Sequence, residues 1–311
     1  MYKRVGSWKS NMKSDNAYVL VLGASIVDIL GFSQNTYKQK DSIPGKIKIS
    51  LGGVCRNIAE NMARVGVNTK FISILGDDEQ GRNILEHSKI MGYNMEHSLL
   101  LENRRTPTYM AVLDENGEMV SAIVDMHCLD EMDEDFIDSK KEIICNAEYT
   151  FLDADNPKLM EHILTTYSEK TKFVLDPVSA VKAEKIKHLI EYFHTIKPNR
   201  YETEILCGFK INNDEDLIRA GEHFLSLGIK NVFISLDEDG IFYTNGTEQG
   251  RVKASAVKVK NTTGAGDSFV AGVGYGYMNN LSLKDTAKYA IAMSVITITH
   301  EDTINPKMNK D

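Results

Sequence analysis

The chain is sparing with the residues that staple, break or anchor a fold. Its 311 residues include four cysteines, six prolines and one tryptophan. Cys55, Cys128, Cys145 and Cys207 are scattered, with no C-x-x-C pair and no histidine at metal-ligand spacing. That argues against a disulfide framework or a structural zinc site, and for free thiols in a reducing cytoplasm. Long apolar runs are missing too: "AYVLVLGASIVDILG" carries Asp28 and is too short to span a bilayer. The polar start "MYKRVGSWKSNMKSDN" has no apolar core of a signal peptide or anchor. Positive charge is short as well, with 36 Lys and Arg against 44 Asp and Glu, a net charge of -8. With no dense basic run, nucleic acid is not an expected partner. A cytoplasmic protein without a membrane segment is expected.

What the chain does have is alternation. Residues are 42% hydrophobic, ample for a large buried core. The β-rich runs "YVLVLG", "KFISILG", "YTFLDA", "KFVLDP", "HTIKPN" and "VFISLD" are each read as followed by a helix-patterned segment. The pattern predicts an α/β fold with a mostly parallel sheet and helices on both faces, its ligands gathered at the carboxyl ends of the strands. In residues 54–65, Val54, Ile58, Met62 and Val65 recur at helical spacing, and Gly66 supplies the stop. "TPTYMAVLDENGEMVSAIVDM" reads as a hairpin around "DENG", able to form a small sheet with "KIKIS". "CLDEMDEDF" reads as a solvated charge run, and "GVGYGY" falls inside a helix, where a dinucleotide fingerprint has no use. No G-x-x-x-x-G-K-[ST] occurs, so the chain is not a P-loop enzyme.

The stretch "NTTGAGDSFVAG" at residues 261–272 carries the chemistry. Gly264, Ala265 and Gly266 before a helical run place backbone N–H groups and the positive end of a helix dipole at one point, an anion site. Asp267 then stands within reach of a hydroxyl approaching a bound phosphate, where a general base for phosphoryl transfer belongs. Taken alone, the stretch fits equally well a glycine-rich helix start packed on the sheet, with Asp267 as a first-turn acid.

"TTGAGDSF" resembles the C-terminal signature of the PfkB (ribokinase-like) carbohydrate kinases. "LGGVCRNIAENMARVG" resembles that family's Gly-Gly signature, "GASIVD" its first strand with a sugar-binding acid, and "KPNRYE" its N-x-x-E element, all in family order. "PGKIKISLGGVCRNIAEN", "LDPVSAVKAEKI" and the tail "EDTINP" are similar to its pseudouridine kinase branch. The resemblance implies one ribokinase-like domain over residues 1–311. Its form would be a three-layer α/β/α sandwich with a small β-sheet lid from segments near 31–50 and 104–126. It implies transfer of the ATP γ-phosphate to the 5′-hydroxyl of pseudouridine, or to another nucleoside or a sugar in a related kinase. A silent nucleoside-binding protein of the same fold is the alternative of another class.

By the same resemblance, Asp267 is the catalytic base and Gly264, Ala265 and Gly266 the anion hole. Asp28, Gly52, Gly53 and Asn57 hold the ribose. Asp155 faces it too, with Asp153 a near-equal candidate, and Thr108 contacts the base from the lid. Asn199 and Glu202 act around Mg²⁺, partly through water, and Ser235, Gly240 and Thr263 contact ATP. Arg56 and Lys182 are expected at the surface. Asn261 stands where the family signature begins with Asp beside a monovalent-cation site, which leaves K⁺ activation open. Asp237 stands where many relatives have glycine. A homodimer through the lid is a further expectation, since an unpaired edge strand is a liability.

Overall fold

The computed structural model describes residues 17–310, so the polar start at residues 1–16 lies outside the described residues. Eight strands form the large sheet, in spatial order β14 (Gln249–Val252), β13 (Ile241–Thr244), β12 (Asn231–Ser235), β11 (Thr195–Ile196), β10 (Lys172–Asp176), β9 (Tyr149–Asp153), β1 (Val19–Leu22) and β4 (Thr69–Ile72). Pairing is parallel from β12 to β4 and antiparallel for β13 and β14. A second sheet has the order β3 (Gly45–Gly52), β2 (Ile26–Ser33), β7 (Thr108–Leu113), β8 (Met119–Asp125). Strands β5 (Ile74–Gly76) and β6 (Leu99–Leu101) pair by themselves.

Period-two alternation along the central strands sorts the core into two layers. Val19 and Val21 of β1 pack with Ile58 and Met62 of α1 (Val54–Arg64) and Val273 of α9 (Ala265–Met278). Leu20 and Leu22 face the opposite layer, with Met160 and Leu164 of α5 (Pro157–Tyr167) and Phe224 of α8 (Asp214–Ser226). Helices α2 (Glu79–Met91) and α10 (Leu283–Ile298) add to the first layer. The short α3 (Glu134–Asp138), α4 (Lys141–Cys145), α6 (Ala180–Ile186) and α7 (Arg200–Cys207) add to the second. This is the expected α/β arrangement of a mostly parallel sheet between helices, with a smaller sheet beside it.

Three sequence expectations need correction. "VFISLD" is not followed directly by a full helix. The chain returns antiparallel as β13 and β14, reversed at Asn245, whose side chain accepts from the N–H groups of Thr247 and Glu248. "KFISILG" is two strands in two sheets, β4 and β5. The chain also leaves the large sheet after Leu22, so Asp28 sits on β2 of the small sheet and not on the first central strand. The hairpin forms as read: Asp114 Oδ1 accepts from Asn116 N and Glu118 N and closes the turn between β7 and β8. "GVGYGY" lies within α9.

The small sheet has two unlike faces. Asp28, Leu30, Lys48, Ser50 and Tyr109 look toward the body across a cavity of about 760 Å³. On the other face Ile49, Ile29, Met110 and Ile123 form one cross-strand row. Ile47, Ile49, Met110, Val112 and Ile123 are all exposed. Lys48 on β3 pairs with Asp302 of the C-terminal segment, linking sheet and body.

Candidate active site

Helix α9 begins where the sequence places it. Gly264 is its N-cap at φ +85, and a methyl group there would lie 2.2 Å from the Thr303 carbonyl oxygen. Only glycine fits both the left-handed backbone and the close approach. The Ala265 N–H already donates to Thr262 O at 3.3 Å, so the first-turn donors with no carbonyl upstream in the helix are those of Gly266 and Asp267. A methyl placed on Gly266 would stand 3.0 Å from Lys197 Nζ. The helix start and that ammonium therefore look at the same space.

Asp267 is 9% exposed, and its Oδ2 accepts from Asn57 Nδ2 at 2.7 Å. Burial and the neighbouring Asp176 push its carboxyl up to about 7, against the opposing pull of Asn57, Lys197 and Arg56. It is thus poised between base and acid near neutrality, the condition for efficient proton transfer. Lys197 is buried, with Nζ 3.3 Å from Asp176 Oδ2. Burial alone would lower the lysine pKa, but Asp176, Glu202 and Asp267 together raise it, so it stays a cation. Lys197 and Asp176 were absent from the expected site. Both sit at the carboxyl end of a central strand, just past β11 and at the end of β10, and the rule for parallel sheets points there.

A cleft of about 360 Å³ is lined by Asp176, Lys197, Asn199, Glu202, Ser235, Gly240, Gly266 and Asp267. It unites Ser235 and Gly240 with the helix start. Asp237 is on its wall too, at φ +51, a left-handed backbone that glycine adopts most readily. Asn199 and Glu202 form a capping box at the start of α7: Asn199 Oδ1 accepts from Glu202 N, and Glu202 accepts from Asn199 N and Nδ2. Burial and Asp176 raise the Glu202 pKa. Among the described residues no group of three or more His, Cys, Asp or Glu could hold a metal. The cleft does bring the oxygen-bearing side chains of Asp176, Asn199 and Glu202 to one wall, the donor type that magnesium takes.

The remaining candidates lie outside this cleft, with Asp28 and Thr263 on the wall of one further cavity and Asp153 and Asp155 on that of another. Asp28 lies over Gly52, where a methyl group would meet its Oδ2 at 2.1 Å. Burial raises the Asp28 pKa and Arg56 opposes the rise. Gly53 is the N-cap of α1. Thr263 is exposed and lines the cavity of Asp28 and Tyr109, apart from Ser235 and Gly240, because Asn261 Oδ1 accepts its N–H and turns the chain that way. Thr108 donates its hydroxyl to Thr106 O. Asp153 and Asp155 line a third cavity, of about 560 Å³, walled by Ile26, Met126, Leu129 and Met160. Asp155 pairs with Lys182, and burial together with Asp155 pushes Asp153 up to about 7. Lys182 is half-buried in that pair, and Arg56 is 3% exposed, so neither is the free surface cation expected.

The model of the pfkB family of carbohydrate kinases matches residues 16–310. A pseudouridine kinase of Escherichia coli (strain K12) is 31% identical over 294 residues, 94% of this chain and 94% of that protein. The crystal structure of a Clostridium perfringens protein assigned as a sugar kinase is 62% identical, with TM-score 0.92 over 95% of this chain and 94% of that one. Arabidopsis thaliana ribokinase complexed with ribose and ATP shares the fold at TM-score 0.81 and 21% identity, over 92% of this chain and 94% of that one. The chain therefore belongs to the pfkB family of carbohydrate kinases, phosphotransferases acting on hydroxyl groups of sugars or nucleosides. No described helix is long and apolar enough to cross a membrane.

Proposed function

We propose that this kinase transfers the γ-phosphoryl group of ATP to the 5′-hydroxyl of pseudouridine. The observation that carries the chemistry is Asp267, buried at the start of α9, held by Asn57 and facing the space shared with Lys197. The likeness to the E. coli pseudouridine kinase supports the acceptor.

The nucleoside enters between the small sheet and the body, with Asp28 and the Gly52–Gly53 junction receiving ribose hydroxyls. Paired hydroxyls need acceptors as well as donors, and a carboxylate beside backbone groups supplies both. The apolar cavity carrying Asp153 and Asp155 takes the far end of the nucleoside. ATP lies along the cleft of Ser235 and Gly240. Its γ-phosphate meets the N–H groups of Gly266 and Asp267 and the ammonium of Lys197, which stabilise the charge on the transferring group. Asp267 takes the proton of the 5′-hydroxyl as that oxygen attacks. Bound through water by Asn199 and Glu202, magnesium would neutralise phosphate charge. The small sheet acts as a lid that excludes water, the competing nucleophile. Its exposed isoleucine row is the surface on which two copies pair, and the enzyme works in the cytoplasm.

The test is ADP release with Mg-ATP and pseudouridine, uridine, adenosine, ribose and fructose offered in parallel. Strong preference for pseudouridine over uridine is expected, and turnover of another acceptor in its place sinks the substrate assignment. Asp267→Asn is expected to cut turnover at least about a hundredfold, in line with general-base contributions. Near-normal turnover removes the base from the mechanism.

A further inference from the structure

We infer that Arg56 is a positioning residue for the catalytic base: by pairing with the carbonyl end of Asn57 it fixes which end of that amide faces Asp267. The inference rests on the reading of Asp267 as the base.

Arg56 spends three donors inside the protein. Nε donates to Gly52 O at 3.2 Å, Nη1 to Glu60 Oε2 at 2.6 Å and Nη2 to Asn57 Oδ1 at 2.6 Å. Glu60 is itself clamped from the next turn of α1 by Arg64, at 2.9 and 2.7 Å. A guanidinium donates and never accepts, so only the oxygen of the Asn57 amide can face it. The NH₂ end must then point the other way, and there Asp267 Oδ2 accepts it at 2.7 Å.

The two ends of an asparagine amide are nearly the same size, so shape alone does not choose between them. With the guanidinium gone, a turned amide would set its oxygen against the carboxylate of Asp267, and the ionised base would lose a buried hydrogen bond and gain a repulsion. The other groups around Asp267 do not change with that turn: Asp176 at the end of β10, Lys197 past β11, and the Cys55 thiol, which burial holds in its neutral form. The Arg56 charge itself goes with the guanidinium and acts on Asp267 through space. The chain Glu60, Arg56, Asn57, Asp267 thus carries orientation from one turn of α1 to the base on α9. It also explains why a cation on a helix that reads as amphipathic is buried beside the substrate cavity.

The experiment is a titration of Asp267 by ¹³C NMR in aspartate-labelled protein, the resonance being assigned by its loss in Asp267→Asn. Wild type is compared with Arg56→Met, and the same substitution is repeated in Asn57→Ala. Methionine replaces the apolar stem, and Arg64 still pairs with Glu60. Loss of the arginine is expected to raise the Asp267 midpoint by roughly one pH unit, with most of the rise absent in the Asn57→Ala background. A rise of equal size in both backgrounds would be the bare charge acting through space, and it overturns the inference. Should Arg56→Met fail to fold, Arg56→Gln carries the same cycle, since its amide both donates and accepts and so no longer dictates which end of Asn57 faces it, judged by the same dependence on Asn57.

In turnover, Arg56→Met is expected to lower kcat roughly tenfold, with the acceptor KM within about threefold. A raised KM at unchanged kcat would put Arg56 on the substrate and sink the positioning role. Near-normal turnover of Asp267→Asn would remove the base reading, while the NMR cycle still decides the pairing separately.

Discussion

Replacing Asp267 by asparagine should make the protein more stable while it disables the chemistry, and the size of the gain follows from the site. The carboxyl is pushed from 3.8 to about 7 by burial and Asp176. Between those two values the unfolded chain releases the Asp267 proton and the folded chain keeps it. Stability therefore declines as pH rises through this window and levels off above about pH 7. From pH 5 to pH 7 the decline starts at about 1.4 kcal/mol per pH unit and halves in slope at the midpoint, or roughly 2 kcal/mol from this one side chain. An asparagine does not titrate, and its carbonyl still accepts from Asn57. The advantage of Asp267→Asn over wild type should thus grow by roughly 2–3 kcal/mol between pH 5 and pH 8. Urea denaturation followed by far-ultraviolet circular dichroism at pH 5, 6, 7 and 8 measures it. Other titrating groups, Asp153 among them, are common to both proteins and cancel in the difference. A stability difference that stays flat across the series would refute the claim that Asp267 is strained in its charged form.

In wild type kcat/KM should fall about tenfold per pH unit below an acid limb near pH 7, because only ionised Asp267 accepts the proton; a limb near pH 4 would mean that its burial does not tune it. Gly264→Ala puts a methyl 2.2 Å from the Thr303 carbonyl oxygen at φ +85, so it should cost about 1–3 kcal/mol and lower the melting temperature. An unchanged melt would mean that the helix start yields without strain. Ile49→Lys with Ile123→Lys, both on the exposed row of the small sheet, should convert a dimer to a monomer in light scattering. A wild-type monomer would end the pairing proposal.

Much of this arrangement is legible in the sequence because it is local. The glycines before Asp267 announce a helix start, and "DENG" announces its own turn. Strand alternation gives the sheet and its helices. What stays hidden depends on which strands become neighbours. Lys197 in "TIKPN" and Asp176 in "VLDP" look like ordinary strand-end charges until β10 and β11 pair and bring them to 3.3 Å. The antiparallel strands β13 and β14 are four residues each, too short to outweigh an expectation of continued alternation. Thr263 belongs to the signature-like stretch by sequence, but it lies beside the Asn261 turn in the cavity of Asp28, and Ser235 lines the other cleft. Arg56 shows the same limit: a cation in a helical repeat reads as solvent-facing, and only the fold buries it together with its neighbours Gly52, Asn57 and Glu60.

The hydrogen bond between Asn57 and Asp267 joins residues 210 positions apart in the chain. During synthesis the first is made well before the second, so a nascent chain that stops short of α9 holds neither a tuned base nor a complete phosphate site. The paired site can form only once α9 has been made and has docked on α1. Cut between α5 and α8, the two fragments would each hold half of the pair, and the site would return only when α1 packs on α9 again.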